Sequence, residues 1–352
     1  MKINVNNIIV SIEKNQDREI EKEIVKRGIQ KENIEKVVWA KRSIDSRKKS
    51  DIKFVYNVEA TLKKEIDLSK TKNISLVKET EKIKRKALNK DEEVLVVGTG
   101  PAGLFAALRL AEYGYKPIVI DRGETVDERD KTVDRFIKTG ELNENSNIQF
   151  GEGGAGTYSD GKLNTRIKSE YIEKVFTEFV ECGAQKEIMW DYKPHIGTDV
   201  LKVVVKNLRE KIISLGGRFY FNNLLTDVVI ENGEVQGAVI RNNKNEMEKL
   251  PVKKIILAIG HSSRDTYRML HKNGVFMENK PFAVGARIEH PREDIDRMQY
   301  GKYAGNKNLG AATYSLTYNN KEEERGIFSF CMCPGGVIVN AASENGGTLV
   351  NG

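Results

Sequence analysis

Apolar positions change their spacing near residue 90. Before it, residues 3–12 (INVNNIIVSI), 34–45 (IEKVVWAKRSID) and 51–62 (DIKFVYNVEATL) read as strands, and residues 15–28 read as a helix. They predict a small α+β module over residues 1–90. A lysine-rich stretch, residues 69–90, closes it, with a helix expected near 77–88. After it comes EEVLVVGTGPAGLFAALRLAEYGYKPIVIDRG, a strand, a tight glycine turn, a helix, a short turn and a strand. Val94 to Val97 form the unbroken apolar run of a buried parallel strand. The helix starting at Pro101 places Leu104, Leu108 and Ala111 on one face, and the second strand ends on Asp121.

Further on, residues 198–222 read as helix then strand. Residues 224–240 read as a hairpin turning at Asn232-Gly233, and residues 252–270 as strand, glycine turn and helix. From about 276 onward a strand-rich region is expected, with turns at Gly301, Gly305 and Gly335-Gly336. The expected organisation is a basic α+β module (1–90), a discontinuous dinucleotide-binding domain (91–275) and the start of a mixed-sheet substrate domain (276–352). The fold class is α/β with a Rossmann-like unit.

The pattern G-x-G-x-x-G occurs twice. At Gly98, Gly100 and Gly103 it has its full setting. Gly98 permits the tight turn, Gly100 lets backbone approach a pyrophosphate, and Gly103 lets helix and strand pack closely. The helix N-terminus adds N–H groups and a positive dipole end. Asp121, at the end of the second strand, is placed to accept hydrogen bonds from a ribose diol. At Gly151, Gly153 and Gly156 the same spacing opens GEGGAGTYSDGKL. NIQF before it reads as a short strand, but no amphipathic helix and no strand with a terminal acid follow. This second run is not a fingerprint, although its glycines allow backbone to approach a flat or anionic ligand.

Charge and cysteine content narrow the classes. The net charge is +7, yet residues 1–90 carry 24 Lys and Arg against 14 Asp and Glu, so the remainder is slightly acidic. Signs alternate within the basic module, which reads as a solvated surface, and specific nucleic-acid binding is not expected. Three cysteines give no disulfide framework and suit a reducing compartment. With no apolar run long enough for a membrane span, a cytoplasmic protein is expected. Cys331 and Cys333 would share one strand face, as buried thiols or as a redox or metal pair; no partner at metal spacing is present, so no metal is expected. A G-x-S-x-G elbow is absent, which removes a serine-hydrolase reading.

GTGPAGLFAALRLAEYGYKPIVIDRG resembles the entry motif of FAD flavoproteins of the glutathione-reductase type, with Asp121-Arg122-Gly123 at the second strand end. IILAIGHSS resembles their later A-T-G segment, with Ile259 where threonine is usual. NIQFGEGGAGTYSDGKLNTR, KPHIGTDVL, ILAIGHSSRDTYRML, PFAVGARIEHPR and FSFCMCPGGVIVNAASE together are similar to an uncharacterised FAD-dependent dehydrogenase family. The resemblance implies an FAD-bound oxidoreductase and supplies no substrate; with no second dinucleotide fold in the sequence, either a small-molecule substrate reduces the flavin, or NAD(P)H as external electron donor or a redox partner protein docks without its own Rossmann unit. The implied cofactor set is Gly98, Thr99, Gly100, Pro101, Ala102, Gly103, Asp121, Arg122, Gly153, Gly154, Ser159, Asp160, Gly161, Lys162, Val228, Ala258 and Gly260. Candidate catalytic groups are Lys162, to stabilise negative charge on a reduced cofactor, His261, as ligand contact or proton donor, and Arg287, for an anionic substrate. Arg287 and Glu289 also read as a salt bridge on one strand face, and His261 as a plain turn residue with Ser262 or Ser263 capping the helix after it. Members of the resembled family continue past ENGGTLVNG, so a truncated chain is expected, lacking the return to the cofactor domain. The alternatives are an NAD(P)-dependent dehydrogenase and a non-catalytic flavin-binding or interaction module.

Overall fold

A computed structural model of the chain describes residues 1–77, 93–159, 161–163, 165, 167, 169–329 and 332–351. The helix expected near 77–88, and Asp160 and Cys331 among the candidate residues, lie outside that set. The described residues fall into two compact units, one within Met1–Ile83, Lys186–Pro194 and Ile288–Val337, the other within Lys84–Gln185, His195–Arg287 and Ile338–Gly352.

In the first unit, strands β1 (Lys2–Ser11), β2 (Ile34–Asp45), β3 (Lys53–Leu62) and β4 (Ile74–Leu76) form an antiparallel sheet in the order β2-β3-β1-β4. Alternation along β1 and β3 sends Ile3, Val5, Phe54, Tyr56 and Val58 into one core. Helix α1 (Gln16–Lys26) covers it with Ile20 and Ile24, and is capped by the Asn15 side chain accepting from Arg18 N. Segment 186–194 joins β2 through backbone bonds between Arg42 and Trp190 and between Tyr192 and Arg42. A two-pronged Arg42–Asp191 ion pair at 2.7 and 2.9 Å reinforces them. A helix at Arg292–Tyr300 adds Ile295 and Tyr300 to the core.

The second unit is built on a parallel sheet. Strands β5 (Val94–Val97), β6 (Ile118–Ile120), β7 (Arg218–Tyr220) and β11 (Lys254–Leu257) lie in the order β11-β5-β6-β7. All four β5 side chains are buried, as expected of a central parallel strand. Helices α2 (Pro101–Glu112), α3 (Val126–Thr139), α4 (Tyr171–Glu181) and α5 (Thr198–Ser214) belong to this unit. Strands β8 (Leu224–Glu231), β9 (Glu234–Arg241) and β10 (Met247–Leu250) form a separate antiparallel sheet, and helix α6 (Arg264–Lys272) follows β11. The β8–β9 turn at Asn232-Gly233 has φ of 52° and 79°, the left-handed pair that a two-residue hairpin requires.

Two expectations fail. NIQF forms bends, not a strand, because its carbonyls are drawn onto a side chain described below. The region from 276 is not strand-rich. It holds the Arg292–Tyr300 helix and strands of only two to four residues, while 275–291 is almost wholly irregular. Phe282, Val284 and Ile288 keep a strand-like alternation but are 75% or more exposed, because no described strand pairs with them. Cys333 likewise lies outside any strand.

Leu95 is fully buried at the centre of the parallel sheet. Leu95→Ala is expected to destabilise the second unit by about 2–5 kcal/mol, read as a lower urea midpoint. An unchanged midpoint would mean that this sheet is not the unit's core.

Candidate functional site

With β5 between β6 and β11, the chain leaves β5 to one side first and reaches the other side later. That order places the topological switch point at the carboxyl end of β5, where open α/β sheets bind ligands. Three segments named from sequence meet there: the turn after β5, the end of β6 and the turn after β11.

The turn after β5 has no room for a side chain at Gly98 or Gly103. A Cβ on Gly103 would lie 1.8 Å from the Gly98 carbonyl oxygen, and one on Gly98 would lie 2.3 Å from the Ala258 carbonyl oxygen. Helix α2 begins with Gly100 as N-cap and Pro101 at its first position, with no side chain capping it, and its first intrahelical bond is donated by Leu104. Asp121 is 6% exposed and its carboxylate is engaged within the fold. Its Oδ2 accepts from Thr99 N at 2.7 Å and Thr99 Oγ1 at 2.6 Å, and its Oδ1 accepts from Gly123 N at 2.9 Å. The acid therefore fixes the glycine turn, a role beyond the ribose contact expected from its position. Arg122 lies over the Phe150 ring at 4.6 Å and bonds Asp265 and Thr266. Burial alone would raise the Asp265 carboxyl, but the Arg122 hydrogen bond and charge outweigh it and hold it below its ordinary range.

The second glycine run packs directly on the first. Gly153 N donates to Thr99 O at 2.9 Å, and a Cβ on Gly154 would lie 3.0 Å from the Gly100 Cα. A 3-10 turn, Gly154–Tyr158, follows. Gly161 and Lys162 then run beside His195–Gly197: Ile196 N donates to Gly161 O, Lys162 bridges His195, and Thr198 Oγ1 donates to Ser159 O. Ser159 Oγ turns back to Gly156 O.

Val228 is buried in the β8 sheet among Leu225, Ala238 and Ile240. Gly260 adopts φ of 70° at the turn after β11. His261 is exposed and its ring is oriented by a chain of hydrogen bonds. Gln149 Nε2 donates to Ala341 O, so its Oε1 accepts from Ser262 Oγ at 2.8 Å. Ser262 has one proton, so His261 Nδ1, 2.7 Å away, is the donor to it, and Nε2 is the acceptor nitrogen of the neutral ring. Ser263 stands at the N-cap of α6, but its hydroxyl bonds Ile259 O and does not cap the helix. Arg287 sits on an exposed irregular segment and donates to Asn351, so the strand salt bridge with Glu289 is not formed. The alternation that suggested it requires a strand, and none forms at 282–290.

Sequence reasoning missed two buried charges under the second glycine run. Arg129, on α3, is fully buried. Glu152 is also fully buried, accepting from Val126 N at the start of α3 and from Arg209. Burial pushes the Glu152 carboxyl up, against the lowering effect of those two donors. Arg129 lies in DERDKTVDRF, whose mixed charges read as a solvated face. No feature of that pattern marks one arginine as internal.

The sheet order, the glycine turn with its fixing acid and the second run packed on it define a dinucleotide-binding unit of the flavoprotein type. Residues 92–283 match the pyridine nucleotide-disulphide oxidoreductase family, and the chain belongs to it, an FAD/NAD(P)-binding flavoprotein with FAD as cofactor. Residues 281–352 match the FAD-dependent protein, C-terminal domain-like family, and residues 2–61 match a domain of unknown function (DUF8436). An uncharacterised protein of Clostridium beijerinckii (strain ATCC 51743 / NCIMB 8052) is 48% identical over 358 residues, covering 100% of this chain. The chain spans 66% of that relative's length. Among solved structures, THI4 of Thermovibrio ammonificans is 19% identical with a TM-score of 0.36, over 53% of this chain and 64% of its own. Glycine oxidase of Bacillus cereus ATCC 14579 is 12% identical with a TM-score of 0.34, over 52% and 58%. Similarities of that size define no shared activity. No described helix is long and apolar enough to cross a membrane.

Asp121→Asn is expected to lower the stability of the ligand-free chain by about 1–3 kcal/mol, because an amide cannot accept from all three donors. Asp121→Ala should cost at least as much. A thermal melt unchanged by both would show that the carboxylate does not fix the turn.

Proposed function

We propose that the chain holds FAD across the carboxyl end of its parallel sheet and serves as an oxidoreductase of a small molecule, as a reductase with NAD(P)H as external electron donor or as a dehydrogenase whose organic substrate reduces the flavin and a redox partner reoxidises it. The observation that carries the reading is the packing of the two glycine runs on each other at the switch point, through Gly153–Thr99 and Gly154–Gly100. The bare backbone at Gly100, held in a turn packed tight at Gly98 and Gly103, suits a pyrophosphate approached by backbone. FAD, when bound, supplies two-electron acceptance and donation.

The chain's own residues would bind and orient. Gly98 to Gly103 would take the pyrophosphate, with Thr99, Pro101 and Ala102 shaping the turn. Asp121 would contact the ribose while fixing that turn. Arg122, Val228, Ala258 and Gly260 would border the adenosine half. Gly153, Gly154, Ser159, Gly161 and Lys162 would border the flavin half; Asp160, proposed with them, lies outside the described residues. His261 Nε2 would accept a proton from a bound group, since Ser262 and Gln149 commit Nδ1 as a donor. Arg287 would attract an anionic substrate from its exposed segment. The family name favours a pyridine nucleotide as donor. A redox protein in place of a small molecule is the second partner class.

The test is absorption of the purified chain with FAD added in excess and then removed by gel filtration. Retained bands near about 375 and 450 nm are expected, and Gly103→Ala should abolish them, since its methyl would meet the Gly98 carbonyl. Bleaching by NADH or NADPH would support the donor. Retained flavin without bleaching would move the donor role to an organic substrate. Tight NAD binding without FAD binding would overturn the flavin reading for this site.

A further inference from the structure

We propose that Arg129 is a positioning residue for the cofactor, holding the second glycine run in the shape that meets the nucleotide turn. The proposal rests on the FAD reading above. Every hydrogen bond of the guanidinium goes to backbone carbonyls of one short segment. Nε donates to Asn147 O at 2.8 Å, Nη1 to Glu152 O at 2.6 Å, and Nη2 to Ile148 O at 3.0 Å and Gly154 O at 2.9 Å. The segment closes on it so tightly that a Cβ on Gly151 would lie 2.7 Å from the Arg129 Cδ. The guanidinium also lies 4.8 Å over the Tyr158 ring, whose hydroxyl donates to Asp130.

A fully buried arginine with no carboxylate in hydrogen-bond contact among the described residues is costly, and burial brings its pKa down to about 10. It stays charged at neutral pH, solvated by four carbonyl dipoles in place of water. An apolar side chain would fill the volume but leave those carbonyls without donors. The consequence lies on the opposite side of the segment. In a trans peptide the N–H points away from its C=O, so carbonyls drawn inward turn the next N–H groups outward. The Glu152–Gly153 peptide shows this directly. Its oxygen is on Arg129 and its nitrogen donates to Thr99 O in the nucleotide turn. Gly154, whose oxygen is also on Arg129, is the residue packed on Gly100. Arg129 is thus one peptide away from the nucleotide turn, and the apolar core under the parallel sheet does not include it.

The experiment compares wild type, Arg129→Lys, Arg129→Ala and Gly151→Ala in the full chain. It reads FAD affinity by flavin fluorescence and amide hydrogen exchange without ligand. Arg129→Lys keeps the charge but loses the fork. Gly151→Ala keeps the arginine and displaces it with a methyl. Each is expected to weaken FAD binding about tenfold or more, with faster exchange confined to residues near 147–154. The Arg129→Lys, Gly151→Ala double variant should be no weaker than the worse single variant. Millimolar guanidinium should partly restore FAD binding to Arg129→Ala. Wild type that fails to bind FAD would overturn the cofactor reading and this proposal with it. Wild type that binds while Arg129→Lys and Gly151→Ala bind equally well would overturn the positioning role alone, as would faster exchange spread evenly over the unit. Should Arg129→Ala not fold, an unchanged affinity in Gly151→Ala is enough to overturn it.

Discussion

Three segments of the cofactor unit meet at one residue. Thr99 is fully buried, and all its polar groups are committed: N–H and hydroxyl to Asp121, carbonyl to Gly153. Those bonds tie the turn after β5 to the end of β6 and to the second glycine run. None would reach if the turn were wider, and the turn is narrow because Gly98 and Gly103 leave no Cβ between strand and helix. The geometry of the site therefore follows from a steric constraint, and the hydrogen bonds at Thr99 transmit it to the two other segments.

That arrangement explains which parts could be read from sequence. The β5–turn–α2–β6 unit was legible because each piece has a local cause: an apolar run, glycines at fixed spacing, a proline at the helix start and an acid at a strand end. The Asn232-Gly233 hairpin was legible for the same reason. Thr99 occupies a variable position of the fingerprint, so its role shows only when Asp121 and Gly153 are seen around it. Arg129 and Glu152 were illegible because burial of a charge depends on what the rest of the chain packs over it. The region after 276 misled in the opposite direction. Phe282, Val284 and Ile288 have strand spacing, but spacing alone forms no ladder, and no described strand pairs with them. The helix at Arg292–Tyr300 was missed although Pro291 and the acidic residues after it form a helix start.

The first unit has its own logic. Its sheet is covered on the α1 side by Ile20 and Ile24 and receives Ile295, Tyr300, Leu309 and Ala312 from far along the chain. Segment 186–194 contributes the Arg42–Asp191 pair and an edge-to-face contact between Trp39 and Trp190. Residues 1–77, with 18 Lys and Arg against 12 Asp and Glu, thus belong to a unit whose core is completed by distant segments. Its basic surface is laced with local ion pairs such as Lys22–Glu19 and Lys31–Glu21, which suits a solvated exterior.

Helix α2 shows what the cofactor unit gives up for its site. Helix α1 is capped by the Asn15 side chain, and the first N–H of α3 is met by Glu152. Helix α2 begins at Gly100 with no side-chain cap, and an Asn, Asp or Ser there would stabilise its first turn by only about a few tenths of a kcal/mol relative to glycine. A Cβ on Gly100 would lie 3.8 Å from the Gly154 Cα, an ordinary contact, whereas one on Gly154 would lie 3.0 Å from the Gly100 Cα. The close approach of the two glycine runs thus constrains position 154 more than position 100. The N–H groups of the first turn are left to whatever binds at the carboxyl end of the sheet, and an anionic pyrophosphate meets both their hydrogen-bonding need and the sign of the helix dipole.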